Sequence, residues 1–143
     1  MCQLFIGADQ HLWKSRTKSL RIDGVVTSIR LEGFFWDTLS EIAFRDDLTV
    51  TQLITRLYFE SMDADHDLGN FTSFLRVCCS RYLSLAADQK IDRLSMTPIT
   101  DIDAKTVLHQ ESLARAERKL RFTSSQNTCP LYTSDATDDS LRV

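Results

Sequence analysis

The segment from Thr27 to Leu57 constrains the fold of this chain more than any other. It reads TSIRLEGFFWDTLSEIAFRDDLTVTQLITRL, and its hydrophobic period changes after Leu31 from two residues to about 3.6. This change predicts a short strand followed by two helices, with a break at Asp46–Thr49. A single strand leaves its backbone N–H and C=O groups unpaired. We expect the same strand of a second copy to pair with it, forming a two-stranded antiparallel ribbon in an intertwined dimer.

The predicted strand begins at Val25, and its side chains alternate between two faces. The more apolar face, which we expect to point towards the core, contains Val25, Thr27, Ile29 and Leu31. The opposite face contains Val26, Ser28 and Arg30. A ribbon of two strands fits the major groove of duplex DNA, and an arginine can bond both O6 and N7 of a guanine.

Two helical patterns follow the strand. The first runs from about Gly33 or Phe34 to Arg45, and Asp46-Asp47 ends it, because aspartate tolerates the left-handed backbone that a helix C-terminus often needs. The second begins after Thr49, where Thr49 and Gln52 have the spacing of a capping box. It ends near Ser61.

Two further helices are predicted beyond a polar loop, and no internal repeat is evident. The first follows Asn70, and its apolar face is too broad for an exposed helix; that face contains Phe71, Phe74, Leu75, Cys78, Cys79, Tyr82 and Leu83. The second is a weaker amphipathic pattern over residues 103–121. The predicted divisions are an N-terminal arm at 1–20, a strand-and-helix domain at 21–86, a polar tail at 87–128 and a last segment at 129–143.

Charge and composition narrow the classes of protein this chain can belong to. The 143 residues contain no apolar run near the ~20 residues that span a bilayer. The N-terminus lacks the cationic start of a signal peptide, so we expect a cytoplasmic protein with no membrane partner. The net charge is −3, yet residues 1–31 carry five Lys and Arg against two Asp. This basic arm fits either attraction to phosphate or a solvated surface.

The sequence offers no set of residues for catalysis, a metal or a cofactor. Asp63–Asp67 suggests a calcium loop, but its sixth and twelfth positions are Leu68 and Phe74 where glycine and glutamate are needed. The three histidines lack metal-ligand spacing, and adjacent Cys78-Cys79 fits a buried helix face. We therefore predict that the protein is not an enzyme.

Residues 18–86 resemble the ribbon-helix-helix family of bacterial DNA-binding proteins, of the Arc/MetJ/CopG type. The resemblance rests on TSIRLE at residues 27–32, on Phe35-Trp36, and on the downstream helix NFTSFLRVCCSRYL. It implies a mainly α fold with one strand and two helices per chain, an additional third helix, and an intertwined homodimer.

The same resemblance implies which residues contact DNA. Base edges would be contacted by Val26, Ser28 and Arg30, with Val26 a departure from the polar residue that relatives often have there. Phosphates would be contacted at the start of the second helix by Thr49, Val50 and Thr51, because helix N-termini favour anions, and in the basic arm by Lys18 and Arg21. Asp46-Asp47 lies beside this helix start and should weaken the contact.

The function implied is a nucleoid-associated, sequence-specific transcription regulator that binds duplex DNA as a homodimer or a higher oligomer. The alternative is a dimeric protein-interaction module or antitoxin-like adaptor. In that alternative the ribbon only dimerises, and the third helix with the 103–121 helix binds a protein partner.

The last segment resembles something other than a protein family. Residues 129–139 read CPLYTSDATDD, which is similar to a translated sequencing adapter. We therefore assign residues 129–143 no function. The alternative is a genuine disordered C-terminus.

Overall fold

The computed structural model describes residues 2–127, in which two compact units succeed one another along the chain. The first unit ends at Ile102 and the second begins at Asp103. The elements are α1 Cys2–Ile6, β1 Ser15–Ile22, β2 Val25–Glu32, α2 Gly33–Arg45, α3 Val50–Asp63, α4 Phe71–Ala87 and α5 Ala104–Asn127. The predicted order of a strand, two helices and a third helix is confirmed as β2 to α4. The segment from residue 128 onwards lies outside the described residues.

The two strands form a β-hairpin within one chain, so the prediction that β2 lacks a partner in its own chain is wrong. β1 runs antiparallel to β2, with Ser15 opposite Glu32 and Ile22 opposite Val25. The turn is Asp23-Gly24, and both residues have positive φ, 53° and 78°, as a two-residue type I′ turn requires. The predicted extended arm is therefore, from Ser15 onwards, a strand of the sheet.

The inner face of the hairpin closes one side of the core. Its buried residues are Leu20, Ile22, Ile29 and Leu31, none more than 6% exposed. Val25, near the turn, is 64% exposed, so only the part of the predicted apolar face nearest α2 is fully buried. The helices contribute Trp36, Leu39, Ile42, Ala43, Leu53, Ile54, Phe71, Leu75, Cys79, Tyr82 and Leu85.

Trp36 ties β1 to the start of α2. Its side chain is 1% exposed, and its indole N–H donates to the backbone carbonyl of Arg16 at 3.0 Å. The Nζ atom of Lys18 lies 4.8 Å from the centroid of the indole ring. A cationic residue on the inner face of β1 therefore packs against an aromatic ring.

Gly33 allows the chain before β1 to lie against α2. Its N–H donates to the carbonyl of Lys14 at 3.0 Å, and a Cβ at this position would come within 2.1 Å of the His11 carbonyl oxygen. The His11 ring also pairs with the Asp37 carboxylate at 3.0 Å. A side chain on Gly33 would therefore displace this segment.

A cluster of polar side chains fastens part of the predicted polar tail to the first unit. Arg93 donates to both oxygens of Glu41 at 2.8 and 2.7 Å, and the Tyr82 hydroxyl donates to the same carboxylate at 2.5 Å. Arg45, only 5% exposed, donates to Tyr82 Oη at 3.3 Å and to the Thr97 carbonyl at 2.9 Å. The chain up to Ile102 consequently belongs with the helices.

Acid should destabilise the first unit through two paired carboxylates. The hydrogen bond from Arg93 lowers the pKa of Glu41 below its ordinary 4.5, and Arg76 lowers the pKa of Glu32 in the same way. A lowered folded-state pKa adds stability that is complete above the unfolded value and is lost as pH falls through the folded value. We therefore expect the free energy of unfolding to fall as the pH drops below the unfolded value of 4.5 and through the lower folded-state values of Glu41 and Glu32.

The matched variant for this prediction is Glu41→Gln, which cannot titrate at that position. Because it lacks the Glu41 contribution at every pH, its deficit relative to wild type should shrink as the solution is acidified. Urea unfolding followed by circular dichroism at several pH values measures this difference. A deficit that stayed constant from neutral to acidic pH would contradict the pKa direction assigned to Glu41.

The second unit contains α5, which is longer than the predicted helix at 103–121. The Asp103 carboxylate accepts from the Thr106 hydroxyl at 2.5 Å and from its N–H at 3.4 Å, as expected for a helix start. Four large apolar side chains of α5 are exposed: Leu108, Leu113, Leu120 and Phe122.

Candidate nucleic-acid interface

One face of the hairpin is exposed along its length and is formed by both strands. The register places Thr17 opposite Arg30, Ser19 opposite Ser28, and Arg21 opposite Val26. Opposed residues of an antiparallel pair point to the same side of the sheet. We call these six exposed residues the outer ribbon face: Thr17, Ser19, Arg21, Val26, Ser28 and Arg30.

The outer ribbon face carries hydrogen-bond donors and positive charge. It contains two arginines, three hydroxyl side chains and one valine, with no acidic residue. The guanidinium of Arg21 donates to the Gly24 carbonyl at 3.3 Å, which holds it near the turn. Glu32 lies just beyond the other end and is paired with Arg76 at 2.9 Å. The nearest carboxylate on β2 is therefore already neutralised.

The start of α3 has the predicted capping box. The Thr49 hydroxyl accepts from the Gln52 N–H at 3.1 Å, and Gln52 Oε1 accepts from the Thr49 N–H at 2.9 Å. The N–H groups of Val50 and Thr51 belong to the first helical turn, where no preceding carbonyl of the helix can bond them. These two amides have the chemistry to bind an anion.

Two carboxylates stand immediately before this helix start. Asp47 has a left-handed φ of 55°, which confirms the predicted helix end at Asp46-Asp47. The Asp46 carboxylate accepts weakly from the Thr100 N–H at 3.4 Å. Their negative charge opposes anion binding at Val50 and Thr51.

The two arm cations predicted to contact phosphate lie on different faces. Arg21 is on the outer ribbon face, whereas Lys18 is opposite Ile29 on the inner face, with its ammonium over the Trp36 ring. Lys18 is nevertheless exposed to solvent. Lys18 and Arg21, which were both predicted to contact phosphate, therefore lie on opposite faces of the hairpin.

The sequence prediction did not place Thr17 and Ser19 on one face with Arg30 and Ser28, although the sequence contained a signal for this arrangement. Asp-Gly between two alternating segments is a strong indication of a hairpin. The inner-face positions Arg16 and Lys18 concealed it, because their charge removes the apolar alternation expected of a strand. Such long side chains can cover apolar surface with their methylene groups.

The adjacent cysteines pack as the predicted helix face. Cys79 is fully buried, and its thiol lies 3.7 Å from the Phe35 carbonyl as a weak donor. Burial raises the pKa of Cys78 to about 11 and that of Cys79 to about 12. Both side chains are therefore neutral thiols at physiological pH, and reactive thiolate chemistry is disfavoured.

Comparison with known proteins agrees with this geometry. The ribbon-helix-helix domain matches residues 15–83. The solved structure of an uncharacterized protein from Bordetella pertussis Tohama I is 51% identical, covers 76% of this chain and 86% of that chain, and superposes with a TM-score of 0.72. The chain belongs to the ribbon-helix-helix family. No curated protein matches it.

Members of the ribbon-helix-helix family share several general properties. Ribbon-helix-helix domains generally dimerise and bind DNA, and the family is typically regulatory and non-enzymatic. Among residues 2–127, no helix combines the length and apolar character needed to cross a bilayer. Within the same range, no three His, Cys, Asp or Glu side chains are grouped so that they could hold a metal ion.

Proposed function

We propose that this chain is a sequence-specific DNA-binding protein and transcription regulator that reads the major groove with its outer ribbon face. The observation that carries the proposal is an exposed, two-stranded face with two arginines and no acid. Neighbouring strands lie about 4.8 Å apart, so a two-stranded ribbon enters a major groove about 12 Å wide. The proposed location is the cytoplasm, in association with the nucleoid.

Each predicted base contact on β2 has a chemical counterpart on a base edge. Arg30 can donate to O6 and N7 of one guanine, and Ser28 can donate or accept. Val26 offers only apolar contact, which suits a thymine methyl group. All three side chains are exposed on the outer ribbon face.

The DNA backbone would be held on either side of the bases. The amides of Val50 and Thr51 and the hydroxyls of Thr49 and Thr51 suit a phosphate oxygen. Arg21 and Lys18 would add charge, and a homodimer would place two copies of this set on related half-sites. No cofactor is required for this mechanism.

Salt dependence tests the proposal. Purified full chain is used to select preferred duplexes from a random pool, and their binding constant is measured at several salt concentrations. Each cation at a phosphate contributes a slope of about −0.9 on a logarithmic plot, so Lys18 and Arg21 give roughly −2 per chain. Failure to select any preferred duplex, together with a flat salt response, would reject the function.

A protein-interaction or antitoxin-like adaptor is the second candidate, and an apolar groove favours it. The groove lies in the first unit and has a volume of about 240 Å³. Its lining includes Leu48, Leu57 and Ile99, together with Arg56. Binding through such a groove would change little with salt, because apolar burial dominates it. The same titration therefore separates the two functions.

A further inference from the structure

We infer that β1 replaces the strand of a second copy, so that one chain carries a complete, pseudo-symmetric ribbon whose base-reading residues come equally from β1 and β2. The inference rests on the proposed DNA-binding function. It adds Thr17, Ser19 and Arg21 to the base contacts, so Arg21 faces a base edge here in place of the phosphate contact that the family resemblance implies for it. It also describes the DNA site that one chain would select.

The two strands repeat one another. Ser19-Leu20-Arg21-Ile22 in β1 corresponds to Ser28-Ile29-Arg30-Leu31 in β2, with only leucine and isoleucine exchanged. A local two-fold axis between two antiparallel strands would relate positions of this kind.

The strand register places the two similar segments, Ser19–Ile22 and Ser28–Leu31, at positions that a local two-fold axis would exchange. Ser19 lies directly opposite Ser28, so a two-fold axis through this pair exchanges Arg21 with Arg30. On the inner face the same axis exchanges Leu20 with Ile29, and both are buried. The hairpin consequently has the symmetry that two identical strands from two chains would give, within a single polypeptide.

Arg21 supplies the polar contact that Val26 lacks. The two residues are opposite one another, and opposed side chains have Cβ atoms about 5 Å apart. Both therefore reach the same depth of the groove. A guanidinium beside the apolar Val26 restores bidentate recognition of guanine at that end of the ribbon.

The spacing of the arginines defines the expected site. Arg21 is level with Val26, four residues along β2 from Arg30, which corresponds to about 13 Å at 3.3 Å per residue. With base pairs about 3.4 Å apart, the two arginines would contact positions roughly four base pairs apart. Because the local axis exchanges them, the preferred guanines should lie on opposite DNA strands.

The width of the sheet argues that only one hairpin enters the groove. If a second copy paired along the free edge of β2, the sheet would have four strands. Its outer strands would be about 14 Å apart at 4.8 Å per spacing, which exceeds a groove of about 12 Å. A dimer would then place two hairpins in separate half-sites.

Selection of duplexes from a random pool by variants of the full chain tests the inference. Arg21→Ala should erase the preference for one guanine and Arg30→Ala the preference for the other. Each change should weaken binding to the preferred duplex by about 5- to 150-fold. The control is Arg16→Ala, an exposed arginine of β1 on the inner face. This control should leave both preferences in place.

The possible results distinguish a failure of this inference from a failure of the proposed DNA-binding function. If wild type selects no motif, the DNA-binding proposal fails. If wild type selects a motif that Arg30→Ala alters while Arg21→Ala does not, DNA binding stands and the role of β1 is rejected.

A disulfide tests independently whether the hairpin forms within one chain in solution. Opposed residues have Cα atoms about 4.5–5.5 Å apart, within the range that a disulfide spans. Oxidised Ser19→Cys/Ser28→Cys, made with Cys2 and Cys129 changed to serine, should run as a cross-linked monomer. A cross-linked dimer as the main product would overturn the inference.

Discussion

Replacing Trp36 with alanine is expected to lower the free energy of unfolding by about 3–5 kcal/mol. The indole is 1% exposed and lies among the largest fully buried side chains of the described residues. Its removal leaves a cavity and also leaves the Arg16 carbonyl without its indole donor, which adds to the cost. Because Trp36 joins β1 to α2, the hairpin should loosen together with the helices. Urea unfolding followed by circular dichroism measures the change.

The control for this prediction lies on the same helix. Phe44→Ala also deletes a large aromatic ring, but Phe44 is 72% exposed, so its effect should stay within about 0.5 kcal/mol. Trp36→Phe should fall between the two variants, since it keeps much of the volume and loses the hydrogen bond. Equal destabilisation by Trp36→Ala and Phe44→Ala would show that Trp36 does not anchor the core.

Local rules in the sequence were sufficient to predict most helical elements. The first predicted helix, from Gly33 or Phe34 to Arg45, agrees with α2 to within one residue at its start and ends at the same residue. The capping box at Thr49 forms as expected. These features depend on neighbours three or four residues apart, so the sequence contains all of the information. The strand at β2 was likewise predicted from its own alternation.

The partner of that strand was predicted wrongly because two signals were hidden. The repeat of Ser19–Ile22 in Ser28–Leu31 is masked by exchanges of leucine and isoleucine. The alternation of β1 is masked by Arg16 and Lys18. Both residues are exposed, and the Lys18 ammonium lies over the Trp36 ring. A contact of that kind links residues far apart in sequence and has no local pattern.

The boundary of the first unit escaped prediction for the same reason. The segment after Ala87 looks polar, yet Ile91 is buried and Arg93 pairs with Glu41, 52 residues earlier. Composition identifies such a segment as a tail, because an ion pair with a distant helix looks like two solvated charges.

For the proposed DNA contacts, residue type suggested Arg30 and Ser28, but the strand register was needed to place Arg21 beside Val26.

Arg30 provides the sharpest test of base reading, because charge and geometry can be varied separately. Arg30→Lys keeps the positive charge but loses the planar pair of donors that matches guanine O6 and N7. We expect Arg30→Lys to bind unrelated duplexes almost as well as wild type, with a similar salt slope. Its preference for the selected duplex should fall by about 5- to 150-fold.

Arg30→Ala completes the comparison, since it removes the charge as well. It should lose the same preference and should also bind unrelated duplexes more weakly, because one fewer cation faces the DNA. Binding constants for preferred and unrelated duplexes, measured at matched salt, give both quantities for each variant. Because Arg30 is exposed on the outer ribbon face, unfolding curves of both variants should match wild type. If Arg30→Lys kept the full preference, charge alone would account for binding, and bidentate reading by Arg30 would be wrong.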